Sequence, residues 1–276
     1  MEPIRMAGKP VADAYRAQIA AKVAAAKQKG ISVTLAIVTV GHDPASFVYR
    51  NRLMKRTESI GAAHRCVELP ETASTDDVLA AIGKLNDDAS VTGILPMMPM
   101  PRHIDSQAVG AALAPAKDMD CLNPVNMGAL LMGDGRRAAC TPRACLATLK
   151  HYGIAMDGKK AVVLGRSNVV GKPAALLLLQ ENCTVTICHS HTADLPAILQ
   201  DADIIVAAMG KARFVKADMV RPGAVLVDVG INVTEQGICG DIDPAAYAKS
   251  RAYTPVPGGI GTVSNMMMMD ALTRGL

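Results

Sequence analysis

Short apolar runs alternate with amphipathic stretches along the first half of the chain. Residues 33–41 (VTLAIVTVG) are rich in β-branched side chains and end at a glycine, which is typical of a buried strand. The pattern that follows predicts helix 45–60, strand 62–69, helix 75–87, strand 91–95 and helix 104–114. Because strands alternate with helices, we expect a parallel sheet covered by helices.

The second half repeats this alternation after a less regular segment, 115–141. Thr141 is a natural N-cap, Pro142 fits the first turn of a helix, and Gly153 is placed to end that helix. The pattern then predicts strand 160–165, helix 172–182 and strands 183–190, 202–210 and 223–230. We therefore expect an α/β protein of two domains joined near residue 140. The run MMMM (266–269) is interpreted as one buried face of a C-terminal helix.

Composition and charge narrow the class of protein. Half of the 276 residues are hydrophobic and a fifth are charged, as in an ordinary globular protein. The chain has no Trp, two Phe and five Tyr, which argues against a surface that stacks on nucleic-acid bases. The net charge of +4 is dispersed apart from a cluster at Arg50, Arg52, Lys55 and Arg56. This balance fits a small ligand with phosphate or carboxylate groups, although a solvated helix face would also explain the cluster.

The cysteines and the apolar runs bear on location and on metal binding. The seven cysteines show neither a CxxC pair nor a Cys/His spacing that would hold a metal. The first ten residues lack the apolar core of a secretory leader, and runs such as AALLLL (174–179) are too short to span a membrane. We therefore expect a soluble cytoplasmic protein with reduced thiols, no metal site, and neither a nucleic-acid nor a membrane partner.

The loop GRSNVVGKP (165–173) joins the first strand of the second half to its helix. Gly165 and Gly171 allow tight turns, and a helix beginning near Pro173 would direct free N–H groups and its dipole toward an anion. The loop matches neither GxGxxG, because Ser167 replaces the middle glycine, nor a P-loop. Together with the next strand, it favours a dinucleotide site over a purely structural turn.

The end of that next strand indicates which dinucleotide binds. A site for NAD normally has Asp or Glu here for the ribose hydroxyls, but residues 188–191 read Cys-His-Ser-His and no carboxylate precedes Asp194. Arg166 supplies a cation for a 2′-phosphate, so NADP is favoured over NAD. The histidines of this stretch could equally be polar contacts, and Asp228 in VLVDVGIN could be a structural carboxylate.

The segment KDMDC (117–121) places two carboxylates two residues apart. Without a third ligand at a suitable spacing, this pair does not predict a metal site. One carboxylate could instead bind the amidine-like edge of a ligand such as a pterin through paired hydrogen bonds, or it could cap a turn. Tyr49, early in helix 45–60, could stack on a flat ligand or belong to the core.

These motifs together resemble one family, the bifunctional methylenetetrahydrofolate dehydrogenase/methenyltetrahydrofolate cyclohydrolases. The resemblance spans nearly the whole chain and rests on VGHDPASFVY (40–49), TGILPMMPMP (92–101), PAKDMD (115–120), CTPRA (140–144), GRSNVVGKP (165–173), DVGIN (228–232) and TPVPGGIG (254–261). It implies a homodimer of two-domain subunits in which folate lies in a cleft beside NADP. The folate-binding catalytic domain would span 1–140 and the NADP-binding, Rossmann-like domain 141–259, with a C-terminal helix (260–276) that packs back on the first.

Carried over by position, the resemblance implies roles for individual residues. Tyr49 would stack on the folate, and Asp120 would bind its pterin. The nucleotide contacts would be Gly165, Arg166, Ser167, Gly171, His189, Ser190 and Ile231, with Arg166 and Ser190 near the 2′-phosphate. Pro257, Gly258 and Gly259 would form part of the loop on the folate side.

The chain departs from the family at the centre of this site. The family places a lysine four residues after its tyrosine and a glutamine at the strand end, where this chain has Leu53 and Met97. Residues 262–264 read Thr-Val-Ser instead of the usual Pro-Met-Thr. Losing only the lysine would leave a buried glutamine without its partner, at a cost of about 1–3 kcal/mol, but replacing both groups by apolar ones can be nearly neutral. We interpret the pair as a refitted site.

The two reactions of the family make different demands on these positions. Hydride transfer from the methylene carbon is driven by the nitrogen lone pairs of the folate, so the protein mainly supplies alignment. Hydrolysis of the methenyl group needs the proton transfer that the family's lysine performs, and such help is typically worth about 10²–10⁴-fold. The leading hypothesis is an NADP-dependent methylenetetrahydrofolate dehydrogenase with weak or absent cyclohydrolase activity.

Three alternatives stay open on the sequence alone. The protein could bind folate or NADP without catalysis, or it could oxidise a different pterin one-carbon carrier that suits an apolar rim. It could also be an ordinary bifunctional enzyme in which Arg52, three residues after Tyr49, or a bound water stands in for the lysine. Arginine keeps its proton near neutral pH and is a poor general base, and Lys55 points away from the face of Tyr49.

Overall fold

The computed structural model describes residues 2–42 and 44–276 of the chain. Its α-helices are α1 (Gly8–Gln28), α2 (Pro44–Ser59), α3 (Thr75–Asp87), α4 (Ser106–Ala112), α5 (Pro124–Leu131), α6 (Cys140–His151), α7 (Gly171–Gln180), α8 (Leu195–Gln200) and α9 (Ile260–Ala271). Its strands are β1 (Ile4–Arg5), β2 (Thr34–Val40), β3 (Ala63–Leu69), β4 (Gly93–Pro96), β5 (Lys160–Leu164), β6 (Thr184–Cys188), β7 (Ile204–Ala207), β8 (Val225–Asp228), β9 (Asn232–Thr234), β10 (Gly237–Cys239) and β11 (Ala252–Tyr253). Short 3₁₀ turns lie at Gly135–Arg137, Ala217–Met219 and Pro244–Lys249. Within this described part, no helix combines the length and the apolar character needed to cross a membrane.

The chain divides into two compact units, each built on a parallel sheet. The three-stranded unit comprises Ala14–Met132 and Met268–Leu276, and the six-stranded unit comprises residues 2–13 and Gly133–Met267. The predicted α/β fold, with mostly parallel sheets flanked by helices, is confirmed. The functional domain boundaries at residues 140 and 259 stay a prediction, since compactness divides the chain at Met132 and again within α9.

The three-stranded unit contains a parallel sheet in the order β3-β2-β4. β2 lies in the middle, and its first six residues are buried, as its run of apolar and β-branched residues predicts. β2 comes first in the sequence; β3 lies on one side of it and β4 on the other. The direction in which successive strands are added to the sheet therefore reverses between β2 and β4. Ligands of such sheets bind beyond the carboxyl ends of the strands at the reversal, so α2 and the segment after β4 border the expected ligand position.

The six-stranded unit contains a sheet in the order β1-β11-β8-β7-β5-β6, with every neighbouring pair parallel. Its core is formed by apolar side chains of the central strands, among them Val162, Ile205 and Leu226. The strand order reverses between β5 and β7. The loops that follow these two strands therefore border the crevice in which a dinucleotide is expected.

Two predictions about the segment between the sheets are wrong. Helix α6 begins at Cys140 with Ala139 as its N-cap, so Thr141 lies inside the first turn and its hydroxyl is 2.9 Å from Ser264 Oγ. The segment 115–141 is also less irregular than predicted, because it contains α5, whose N–H at Val125 is capped by Asn123. Gly153 follows α6 with φ of 63°, in the left-handed conformation that the prediction requires.

The helices at the two ends of the chain also differ from the sequence pattern. The pattern did not reveal α1, although it spans 21 residues. The four methionines 266–269 do not form one buried face, because all four side chains are buried. Four consecutive residues point in nearly all directions around a helix, so α9 is covered on every side at this level.

Two buried aspartates join the end of β8 to neighbouring loops of the six-stranded unit. Asp228 accepts hydrogen bonds from the backbone N–H groups of Gly230 (3.1 Å), Asp241 (2.9 Å) and Ile242 (2.9 Å). Asp241 accepts from the N–H groups of Met209 (2.7 Å), Gly210 (2.9 Å) and Lys211 (2.8 Å), and from Asn232 Nδ2 (2.9 Å). Both carboxylates therefore organise backbone, which is the structural role considered for Asp228.

The burial of Asp228 is expected to make the six-stranded unit less stable as the pH rises. Burial raises the pKa of Asp228 to about 6; the charge of Asp241 adds to the effect, while the three backbone N–H groups oppose it. Between the ordinary value of 3.8 and this value, the folded state keeps a proton that the unfolded state releases. The contribution of Asp228 to the free energy of unfolding therefore falls by up to about 3 kcal/mol across this window.

Carboxyl-carbon NMR and denaturation check this expectation. The Asp228 carboxyl is expected to titrate near pH 6. The stability of the wild type relative to Asp228→Asn is expected to decrease from about pH 4 to about pH 7, because asparagine does not titrate. A stability difference that does not change with pH would contradict the assignment.

Candidate active site

One side of α2 runs from an exposed aromatic ring into the core. Tyr49 is 38% exposed, whereas Leu53, one turn further along the same side, has 0% exposure. The hydroxyl of Thr57, another turn along, donates to Leu53 O (2.9 Å) and lies 3.6 Å from Met269 Sδ. Arg52 is exposed to solvent. The ring that could stack on a ligand and the leucine in the predicted lysine position thus share one side of the helix.

Two adjacent methionines after β4 differ in their exposure to solvent. Met97 is 6% exposed, and its N–H donates to Val38 O (2.8 Å), which continues the strand pairing beyond Pro96. Met98, by contrast, is 37% exposed and precedes a cis peptide bond to Pro99. The strand end therefore buries the side chain at the predicted glutamine position and presents an apolar methionine beside it.

The two carboxylates of KDMDC differ in burial and in hydrogen bonding. Asp118 is buried and accepts hydrogen bonds from the N–H groups of Asp120 (3.3 Å), Leu122 (3.1 Å) and Asn123 (3.0 Å), and from Asn126 Nδ2 (2.8 Å). Asp120 is only half-buried. Asp118 pairs in a parallel bridge with Ile94 of β4, which places Asp120 toward the carboxyl end of that strand. Asp118 therefore organises the backbone of this turn, and Asp120 is the more exposed of the two carboxylates.

The loop after β5 is wound tightly around its two glycines. A Cβ on Gly165 would overlap the carbonyl of Ala208, in the loop after β7, and a Cβ on Gly171 would overlap the carbonyl of Gly165. Close approach of the two loops at the strand-order reversal therefore requires Gly165, and the tight winding of the loop after β5 requires Gly171. The side chains of Arg166 and Ser167 are exposed at this point.

The start of α7 differs from its prediction. The helix begins at Gly171, two residues before Pro173, and its first N–H groups are not free. Ser167 Oγ accepts from the N–H groups of Val170 (3.1 Å) and Gly171 (3.3 Å), and its carbonyl accepts from Lys172 (3.1 Å). An anion at this loop would consequently rely on the exposed Arg166 and on the loop backbone more than on the helix end.

The end of β6 lies beside this loop. The N–H of Gly165 donates to Cys188 O (2.9 Å), so the segments that begin at Arg166 and at His189 leave the sheet together. His189 Nδ1 accepts from the N–H of His191 (3.2 Å), and Ser190 is exposed. Within the described residues, no group of His, Cys, Asp and Glu is arranged to hold a metal ion.

Residues 254–259 form a further loop of the six-stranded unit, which leads into α9 and is held by the start of α1. The N–H of Gly8 donates to Gly258 O (2.8 Å), and a Cβ on Gly8 would overlap the carbonyl of Gly259. Pro257 follows a cis peptide bond, and Ile231, which is largely exposed, faces Gly261 at the beginning of α9. Sequence reasoning missed Gly8, because nothing in residues 2–13 indicates contact with a loop near the other end of the chain.

Comparison with known proteins agrees with this geometry over the whole chain. Residues 6–120 match the model of the catalytic domain of tetrahydrofolate dehydrogenase/cyclohydrolase, and residues 139–275 match the model of its NAD(P)-binding domain. The chain belongs to the tetrahydrofolate dehydrogenase/cyclohydrolase family. It is 45% identical over 274 residues to the bifunctional protein FolD of Polaromonas naphthalenivorans, covering 97% of this chain and 98% of that protein.

Solved structures of this family show the same fold. The bifunctional FolD enzyme of Campylobacter jejuni superposes with a TM-score of 0.95 at 37% identity, covering 98% of this chain and 96% of that one. The Trypanosoma brucei dehydrogenase-cyclohydrolase, solved with NADP cofactor and an inhibitor, superposes with a TM-score of 0.91 at 31% identity, covering 99% and 96%. The resemblance inferred from the sequence motifs is confirmed. The roles of individual residues, including Leu53 and Met97, stay a prediction.

The contact of Gly8 with the Gly258–Gly259 loop leads to a test. Gly8→Ala is expected to lower the free energy of unfolding by about 1–3 kcal/mol and to raise KM for the folate substrate, because the added methyl group must displace the loop. Denaturation and steady-state kinetics measure both. Gly83→Ala, within α3, is the control: its Cβ meets nothing within 4 Å, so KM should not change. If Gly8→Ala and Gly83→Ala had equal KM values, Gly8 would not contribute to binding of the folate substrate.

Proposed function

We propose that this chain is an NADP-dependent methylenetetrahydrofolate dehydrogenase of one-carbon metabolism, that its cyclohydrolase activity is weak or lost, and that it acts as a homodimer. The observation that carries the proposal is the pair of covered apolar side chains, Leu53 and Met97. Neither side chain can take up or release a proton. The loop after β5, which is proposed to bind the nucleotide, has not lost residues in this way. Both of its close-packed glycines, Gly165 and Gly171, are present.

Hydride transfer requires the protein to align the folate. Bound NADP⁺ supplies the carbon that accepts the hydride. Tyr49 offers a partly exposed ring for stacking, and Asp120 offers a half-buried carboxylate for paired hydrogen bonds to the pterin. Asp118 fixes the backbone around Asp120 through its hydrogen bonds. Because the nitrogen lone pairs of the folate drive the transfer, no side chain needs to exchange a proton.

Hydrolysis of the methenyl product requires proton transfer in addition. The attacking water must lose a proton and a ring nitrogen must gain one, and general acid–base help is typically worth about 10²–10⁴-fold. Leu53 and Met97 cannot give that help. Arg52 is exposed and keeps its proton near neutral pH, so it is a poor base. We therefore expect the methenyl compound to be released as the product.

The preference for NADP rests on the ends of β5 and β6. The residues present fit a nucleotide that carries a 2′-phosphate: Arg166 and Ser190 are exposed on adjacent segments, and β6 ends without the carboxylate that an NAD site uses. Gly165 and Gly171 keep the loop compact, while Ser167 and His189 shape its two sides. The NADP in the related Trypanosoma brucei structure supports this assignment.

A single assay tests the proposal. Purified protein is incubated with methylenetetrahydrofolate and either NADP⁺ or NAD⁺, and the reduced nucleotide and the methenyl compound are followed separately. We expect equal accumulation of both products with NADP⁺ and slower reaction with NAD⁺. Rapid disappearance of the methenyl compound would overturn the loss of cyclohydrolase activity. If no reduced nucleotide forms, titration with tetrahydrofolate and other pterins would distinguish a non-catalytic binding protein from a dehydrogenase with another carrier.

A further inference from the structure

A stripe of arginines on α2 begins beside Tyr49. Arg52 and Arg56 follow Tyr49 by three and seven residues, so the three side chains lie along one side of the helix. Arg52 is exposed and Arg56 is half-buried. The two arginines are about 6 Å apart along the helix axis. This stripe is distinct from the buried positions of Leu53 and Thr57.

A third arginine reaches the stripe from α1. Burial lowers the pKa of the Arg56 guanidinium, the charges of Arg16 and Arg52 lower it further, and Tyr49 acts in the opposite direction. Arg16, Arg52 and Tyr49 are therefore each within electrostatic reach of Arg56 in the three-stranded unit. We call Arg16, Arg52 and Arg56 the arginine cluster.

Within the described part of the chain, no acidic side chain pairs with Arg52 or Arg56 of this cluster. Among the residues that the structure describes, neither guanidinium has a hydrogen bond or an ion pair, whereas Arg50, on the same helix, contacts Glu68 (2.6 Å) and stacks over Phe47. Glu58, which is also on α2, has its Oε1 3.7 Å from His64 Nδ1. Like charges on neighbouring helical turns are destabilising, so the cluster is better explained by an anionic ligand than by folding.

We propose that the arginine cluster binds the carboxylates of the glutamate tail of the folate substrate. The inference rests on the proposed function. Folates carry one or more γ-linked glutamates, and each residue added to the tail adds a carboxylate. Tyr49 is the residue proposed to stack on the folate, so a tail leaving the stacked ligand along α2 meets Arg52 and Arg56 in turn. Guanidinium groups bind carboxylates through two parallel hydrogen bonds, which suits a repeating anion.

The length of the tail provides the test. The ratio of kcat/KM for the triglutamate to that for the monoglutamate of methylenetetrahydrofolate is measured for the wild type, for Arg52→Gln/Arg56→Gln, and for Lys55→Gln. Exposed Arg–carboxylate pairs are individually weak, so we expect a ratio of about tenfold in the wild type at low salt. The ratio should fall toward one in the double variant and at about 0.15 M ionic strength. Lys55 lies off the stripe, so its variant should keep the wild-type ratio.

Two results would overturn the inference: a wild-type ratio near one, or a double variant that keeps the full ratio. Either would leave the stripe as a solvated helix face. If neither folate is turned over, the proposed function fails separately. Calorimetry with p-aminobenzoyl-triglutamate and p-aminobenzoyl-monoglutamate then decides the inference without catalysis, since preferential binding of the triglutamate must disappear in Arg52→Gln/Arg56→Gln.

Discussion

Replacing Leu53 by lysine and Met97 by glutamine together is expected to raise the rate of methenyltetrahydrofolate hydrolysis by about 10²–10⁴-fold. The lysine supplies a group that can transfer a proton, and the glutamine supplies its hydrogen-bonding partner. Leu53 has no exposed surface, so a lysine there without the glutamine would place a cation in a covered site at a cost in stability. The double variant should therefore unfold at higher denaturant concentration than Leu53→Lys alone.

The measurement is the decay of the methenyl compound with purified enzyme, compared with its decay in buffer. Leu53→Met/Met97→Leu is the matched control, because it changes both side chains at nearly constant volume and adds no group that transfers protons. Its hydrolytic rate should equal that of the wild type, and hydride transfer should continue in both pairs. An equal gain in the control pair would show that packing, and not proton transfer, limits hydrolysis.

Gly240→Ala is expected to destabilise the protein by about 3 kcal/mol or more. The added Cβ would overlap the Asp228 carboxylate, and even the more distant Oδ1 would lie only 2.7 Å away. Asp228 cannot move aside without losing hydrogen bonds to Gly230, Asp241 and Ile242. A misplaced carboxylate would also leave buried N–H groups without acceptors.

Chemical denaturation followed by circular dichroism measures this loss. Gly230→Ala should behave in the same way, because its Cβ would overlap Asp241. In contrast, Gly83→Ala removes a glycine from open space within α3 and should raise stability by about 0.5–1 kcal/mol. Denaturation midpoints that are equal for Gly240→Ala and the wild type would mean that the carboxylate is not held as the structure shows.

The sequence pattern predicted β2 to β8 but not β1, β9, β10 or β11, and it is clearest for central strands in which consecutive residues are buried. β2 is apolar and β-branched along its whole length, and six of its seven residues are buried. The order of strands and helices then indicated parallel sheets, and the motifs indicated the family. The local sequence identifies such strands because a central strand of a parallel sheet is buried on both faces. Nearly all of its residues are therefore apolar.

Features that depend on distant contacts could not be predicted. Asp118 and Asp120 are the same residue type two positions apart, and the local sequence does not show that Asp118 pairs with Ile94 and is the buried one. Gly8 looks like any glycine at a helix start until Gly258 is placed beside it. Ser167 was recognised only as a substitution in a glycine motif, although its hydroxyl and carbonyl accept the N–H groups that begin α7.

The pairing of β1 with β11 determines when this protein can finish folding during synthesis. Ile4 pairs with Ala252 and Arg5 with Tyr253, so β1 leaves the ribosome long before its partner β11 has been made. At about 5–20 residues per second, that interval is on the order of 10–50 s. A chain interrupted before residue 252 would end its sheet at β8, whose unpaired edge would be open to other chains. Incomplete translation products of this protein are therefore expected to aggregate.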